Sequence, residues 1–275
     1  MERKPSVAGS FYEKDKDLLI NEIKNCFLKG PGEIPQAKRG RGKIKGVVVP
    51  HAGYIYSGYV AAYVYNAIAK DGFPDKFIIM GPNHYGYGSP VAIATKGAWL
   101  TPLGKVFIHE NAKNLAKGII SEDEIAHKYE HSIEVQIPFL QFLGEFKFIP
   151  ICFGMQNYET SREVGEIISE EDALIIASSD FSHVSFSKFP SKEDIDEVRK
   201  IDKIAIDEIL RIDAKRLVEK VEENDITMCG YGAVAAMLEA VKRRGAKNAR
   251  LLKYATSYDV EPGTYCVGYS AIVIE

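Results

Sequence analysis

Four apolar runs, three of them followed by a loop that carries a histidine, constrain this chain most. Val47-Val48-Val49 leads into Pro50-His51-Ala52-Gly53-Tyr54, and Phe77-Ile78-Ile79-Met80 into Gly81-Pro82-Asn83-His84. Phe148 to Phe153 is closed by Gly154, and Ala173 to Ala177 is followed by Ser178-Ser179-Asp180-Phe181-Ser182-His183. Short β-branched and apolar runs read as buried strands. Pro50 has no N–H for a sheet ladder, so the first strand ends there. Gly53 and Gly58 let the chain turn before Val60 to Tyr65 enters a helix. Three of the six histidines therefore stand just past a buried strand. If those strands are parallel, His51, His84 and His183 share one sheet edge. That is where open α/β sheets bind ligands. A lone histidine there would read as a capping or core residue; the repetition carries the inference.

The rest of the pattern agrees with an α/β chain. Leu18–Leu28, Glu163–Ile168, Lys192–Leu210, Ala214–Val221 and Ala233–Val241 have helical spacing, and Asn111–Ile119 reads as a short helix. Ile133–Leu140 is also helical, with Pro138 at a kink or in the first turn. Val91–Thr95 and Lys105–Ile108 read as a hairpin around Thr101–Gly104. Leu251–Thr256 and Tyr265–Ile274 are terminal strands. Alternating strands and helices predict one domain over residues 1–275, a three-layer α/β/α sandwich.

Bulk properties exclude several classes. The chain has 275 residues and a net charge of −3, so no long-range attraction to nucleic acid or anionic membrane is expected. The basic run Lys38 to Lys43 sits in the most loop-like stretch and reads as a solvated loop. No apolar stretch approaches the roughly 20 residues of a membrane helix. Met1 to Pro5 lacks the apolar core of a signal peptide, which points to the cytoplasm. The four cysteines, 26, 152, 229 and 266, form no Cys-x-x-Cys pair. Cys26, Cys152 and Cys266 fall in apolar patterns and read as core.

Imidazole is the commonest metal ligand, so His51 and His84 are candidate ligands. Cys229 precedes a Gly-rich helix start, where the macrodipole favours an anion. A thiolate with a lowered pKa there suits a metal; from spacing alone, a small buried cysteine is the simpler reading. Asp180 and His183 pair a carboxylate with an imidazole, which fixes the tautomer and raises basicity; a hydrogen-bonded loop is the alternative. Glu130, His131 and Glu134 form a second such cluster, for which capping and surface exposure are the alternatives. Tyr54, Asn83 and Glu130 are assigned to the pocket wall, with Tyr56 beside them. No Gly-x-Ser-x-Gly elbow, Gly-x-Gly-x-x-Gly turn or Walker motif occurs.

Taken together, Pro50-His51-Ala52-Gly53-Tyr54, Gly81-Pro82-Asn83-His84, Glu130-His131-Ser132-Ile133-Glu134, Ser178 to His183 and Met228-Cys229-Gly230-Tyr231 resemble the Memo family. Its prokaryotic members are called AmmeMemoRadiSam system protein B. The resemblance runs from Arg3 to Tyr269. It implies a fold similar to class III extradiol dioxygenases, which hold iron with two histidines and a glutamate. It implies metal ligands His51, His84 and Cys229, a cysteine replacing that glutamate, so dioxygenase activity does not carry over. Asp180, His183 and His131 are the candidate catalytic groups. The function implied is a metal-dependent oxidoreductase using iron or copper on an unknown substrate, with an AMMECR1-like protein and a radical SAM enzyme as partners. Two other readings stand beside it. One is a module binding a peptide or small molecule in the same cleft. The other is a zinc hydrolase with His183 as base.

Overall fold

The computed structural model describes residues 2–275. The chain begins with β1 (Glu2–Arg3), α1 (Lys16–Lys29), β2 (Gly46–Val49), α2 (Tyr59–Asp71), β3 (Lys76–Pro82), β4 (Val91–Ile93), β5 (Ala98–Thr101), β6 (Gly104–Phe107), α3 (Ala112–Leu115) and β7 (Ser121–Glu122). It continues through α4 (Ile137–Leu143), β8 (Lys147–Phe153), α5 (Tyr158–Ser169), β9 (Leu174–Ser178), β10 (His183–Ser185), α6 (Lys192–Leu210), α7 (Ala214–Glu223), α8 (Tyr231–Arg243), β11 (Ala249–Thr256) and β12 (Tyr265–Ile274).

The main sheet runs β10-β12-β2-β9-β3-β8-β4-β7, with β11 also paired to β12. Its centre, β2-β9-β3-β8, is parallel. Every residue of β2 and of β9 is buried, as expected of strands covered on both faces. Two helical layers provide the cover. α8 packs on β2, β9, β3 and β8 and carries α5 and α7; α2 packs on β2, β11 and β12 and carries α1 and α4. The three-layer α/β architecture read from the sequence is thus present. No helix among the described residues is long and apolar enough to cross a membrane.

Helix starts follow the local sequence. Asp15, Asn157 and Asp213 accept hydrogen bonds from first-turn N–H groups of α1, α5 and α7, and Ser191 with Asp194 forms a capping box on α6. Pro138 falls in the first turn of α4, where its missing N–H costs nothing. α8 differs, since its N-cap Gly230 has no capping side chain. Distant side chains serve instead: Gly230 N donates to Ser179 Oγ at 2.9 Å, and Gly232 N to Gln156 Oε1 at 2.9 Å. A Cβ on Gly230 would lie 2.5 Å from Ser178 O. Only glycine lets the start of α8 approach the end of β9 this closely.

The hairpin expectation is corrected. The turn at Thr101–Gly104 joins β5 to β6, not β4 to β6. β4 is wholly buried and enters the main sheet antiparallel to β8, because its apolar run is better buried there than in a surface hairpin. β5 pairs instead with β1. Of Asn111–Ile119, only Ala112–Leu115 is helical.

The N-terminal segment is fastened by buried Glu134. Its carboxylate accepts from Arg3 Nη1 at 2.7 Å, Ser6 N at 2.8 Å, Val7 N at 3.0 Å and Tyr12 Oη at 2.7 Å. Arg3 also donates to the carbonyls of His127 and Glu130 and lies over the Trp99 ring, 4.1 Å from its centroid. Removing one partner of a buried ion pair leaves the other uncompensated, at about 3–5 kcal/mol. Glu134→Ala should therefore lose about 3–5 kcal/mol in urea unfolding. A loss below about 1 kcal/mol would mean that this clamp is not part of the folded state's support.

Candidate metal centre

The order β2-β9-β3 builds the site. Val49 is level with Ser178, and Met80 with Ala177. The loops after these strands therefore emerge side by side, Asp180 between His51 and His84. Asp180 Oδ1 accepts from His51 N at 2.8 Å, tying the first two loops together. The His51 and His84 rings lie 5.2 Å apart, nearly perpendicular. His131 stacks on His84 at 4.5 Å. α8 delivers the third element: Cys229 Sγ is 3.2 Å from His51 Nε2. Asp180 N donates to that sulfur at 3.3 Å. One donor atom each from His51, His84 and Cys229 lies within 4.8 Å of the others. Tetrahedral zinc with ordinary bond lengths separates its ligands by roughly 3.3–3.6 Å, so small side-chain shifts suffice for this set to hold an ion.

Electrostatics favour a neutral ring at His51 and at His131. Burial pushes His51 well below the usual histidine range, and the charges of His84, His131 and His183 push it further. Burial likewise lowers His131 to about 4, against the opposing pull of Glu130. Burial alone would raise Glu130, but hydrogen bonding and attraction from His84, with His131 and Ser132 N, hold it down to about 2. It is therefore a carboxylate. It receives His84 N at 2.7 Å and His84 Nδ1 at 2.9 Å, so Nδ1 carries the proton and Nε2 is the free nitrogen. Asp180 is raised by burial, against the lowering effect of His183 and the His51 N–H.

Several expectations change. Cys229 precedes α8 as expected, but its thiol pKa is raised, not lowered. Burial dominates, with Asp180's charge acting in the same direction. One helix terminus does not offset that desolvation. Cys229 as a residue is partly exposed, unlike the three buried cysteines. Asp180 does not fix the His183 ring; His183 Nδ1 meets Thr227 O at 3.0 Å. Tyr54 is core, 2% exposed, its hydroxyl donating to Val135 O. Asn83 folds back on its own loop through Tyr87 O and Gly86 N. Glu130 is fully buried behind His84, not on the pocket wall, and Glu134 belongs to the N-terminal clamp.

The wall is made by other residues. A cleft of about 680 Å³ is lined by His51, His84, His131, Asp180 and His183, with Phe11, Tyr56, Tyr265 and Tyr269. Phe11 also packs edge-on to His131 at 4.8 Å. Phe11 reaches the site because Tyr54 N donates to Phe11 O at 2.7 Å. The turn-forming residues Ser6, Gly9 and Ser10 just before Phe11 are the sequence signal that could have placed it. Ser178 and Gln136, both buried beside His51, carried no signal of their own.

Comparison with known proteins agrees over the whole chain. It matches the Memo-like protein family over residues 3–273. It is 46% identical to a MEMO1 family protein of Methanopyrus kandleri and 44% identical to one of Methanosarcina mazei, with 99% of each chain covered in both cases. A MEMO1 family protein of Thermococcus onnurineus is 42% identical, again over 99% of each chain. Among solved structures, an uncharacterized protein of Escherichia coli K12 superposes with a TM-score of 0.55 at 11% identity. That alignment covers 84% of this chain and 100% of the other, and it shows a shared fold. With matching sequence from Arg3 to Val273, this chain belongs to the Memo-like protein family.

Proposed function

We propose that the protein binds one redox-active metal ion, iron or copper, through His51, His84 and Cys229, and acts on a small molecule held in the adjoining cleft. The observation that carries this reading is the convergence of two imidazoles and one thiol within 4.8 Å, from loops 33 and 145 residues apart. Such a set has the softness for iron, copper or zinc rather than magnesium or calcium. A redox ion bound there would supply electron transfer to or from the substrate. The chain's own residues do the rest. Glu130 orients His84, and Asp180 holds the His51 backbone. His183, with Nδ1 turned to Thr227 O, keeps Nε2 as its basic nitrogen for proton transfer at the cleft. Phe11, Tyr56 and Tyr265 offer apolar faces to a bound molecule.

Protein purified without chelator or tag metal should contain about one equivalent of iron or copper per chain. In calorimetric titration, His51→Ala and His84→Ala should largely abolish binding. Asp180→Ala and His183→Ala should weaken it only about 10–100-fold. Unchanged affinity in both ligand variants would leave the cleft as a binding surface for a peptide or small molecule. Zinc content without dioxygen-dependent turnover would favour a hydrolase.

Cys229 gives a second test. It alone of the four cysteines is partly exposed, so iodoacetamide should modify it first in the native metal-free protein. Added metal should slow that reaction sharply, because a coordinated sulfur is no longer a free nucleophile. Equal rates with and without metal would make Cys229 a structural thiol.

A further inference from the structure

Behind His51 lies a buried polar chain that the cleft does not reach. His51 Nδ1 is 2.8 Å from Ser178 Oγ. The same oxygen lies 2.7 Å from Ser132 O and 2.8 Å from Gln136 Nε2. Gln136 Nε2 also donates to Pro50 O at 3.0 Å, and Gln136 Oε1 accepts from Tyr65 Oη at 2.6 Å. Ser178, Gln136 and Tyr65 are each at most 1% exposed, so water does not substitute for any of these partners.

Hydrogen counting together with the contact lengths favours one arrangement. Pro50 O and Ser132 O are carbonyls and only accept. The Gln136 nitrogen must face Pro50 O, since a flipped amide would set two oxygens 3.0 Å apart with no proton between them. Gln136 therefore donates to Ser178 Oγ. Ser132 O also lies 3.3 Å from Gln136 Nε2, but the 2.7 Å contact with Ser178 Oγ is the tighter one, so the single hydrogen of Ser178 goes to Ser132 O. The remaining lone pair of Ser178 Oγ faces His51 Nδ1, which must supply the proton. We propose that Ser178, aligned by Gln136 and Tyr65, is a positioning residue that locks His51 in the Nδ1–H tautomer and turns an unprotonated Nε2 toward Cys229. The far side of the ring agrees. Asp180 N donates to Cys229 Sγ, and the thiol hydrogen has two acceptors in reach, His51 Nε2 at 3.2 Å and the more distant Asp180 O at 3.6 Å.

The device differs from that at His84. There a carboxylate, Glu130, fixes the ring; here a neutral hydroxyl does. A neutral partner adds no negative charge, so the donor set as a whole carries one carboxylate behind His84 and none behind His51. The consequence for metal affinity rests on the metal-binding reading above; the tautomer itself does not.

The experiment uses full-length, metal-free protein labelled with 15N-histidine, and long-range proton–nitrogen correlation near neutral pH. His51→Ala identifies the His51 signals. The wild type should show a protonated Nδ1 and an unprotonated Nε2 at His51. Ser178→Ala should lose that preference, and Ser178→Thr, which restores a hydroxyl, should keep it. With zinc as probe, Ser178→Ala should bind about 10–100-fold more weakly, and Ser178→Thr like the wild type. A thermal melt of each variant checks folding. An Nε2–H tautomer in the wild type overturns the proposal, whether or not Ser178→Ala folds. So does a folded Ser178→Ala protein that retains the Nδ1–H form. A wild type with the Nδ1–H form that binds no zinc supports the tautomer assignment and defeats the metal reading instead.

Discussion

The site depends on the insertion of β9 between β2 and β3. Parallel pairing sets the ends of these strands level, so three loops emerge at one height with Asp180 in the middle. Its carboxylate then bridges to the backbone of His51. Cys229 is placed by the same strand. The start of α8 is held through Ser179 Oγ, and Gly230 clears the Ser178 carbonyl. One strand thus fixes the positions of both the imidazole and the thiol.

Burying this many polar groups is costly unless each finds a partner. The fold answers with two carboxylates of different duty. Glu130 receives His84 and Ser132 N and faces the candidate centre. Glu134, four residues on, turns away and holds Arg3, Ser6, Val7 and Tyr12. The second contact set matters for the first. By anchoring the N-terminal segment it lets Phe11 form part of the cleft wall beside His131. A surface cleft is thereby tied to a buried ion pair, and its shape is preorganised rather than left to mobile loops.

Some of this was legible in residue order. His51 and His84 followed apolar strand runs, so their place at a strand end was a local matter; Pro50 stops β2, whereas β3 runs on through Gly81-Pro82 before His84. The extents of α6 and β12 were equally local, set by a capped amphipathic period and a continuous apolar run. What escaped was non-local. The pairing of β5 with β1 and of β4 with β8 depends on segments far apart in sequence. Tyr54 and Tyr56 are two residues apart. A π-helical turn, Tyr54–Gly58, sends the first into the core and leaves the second in the cleft. The raised pKa of Cys229 follows from burial that no helix-start motif announces. Asp180 and His183 looked like a pair because they are neighbours in the chain. They serve different partners because Asp180 ends the β9 loop while His183 opens β10 against β12.

X-ray absorption on the protein loaded with one equivalent of zinc tests the central claim most directly, because it reads the ligand atoms themselves. The convergence of His51, His84 and Cys229 predicts one sulfur at about 2.3 Å and imidazole nitrogens at about 2.0–2.1 Å. The sulfur signal should vanish in Cys229→Ser. A shell of nitrogen and oxygen alone in the wild type, or a sulfur that survives the substitution, would contradict it.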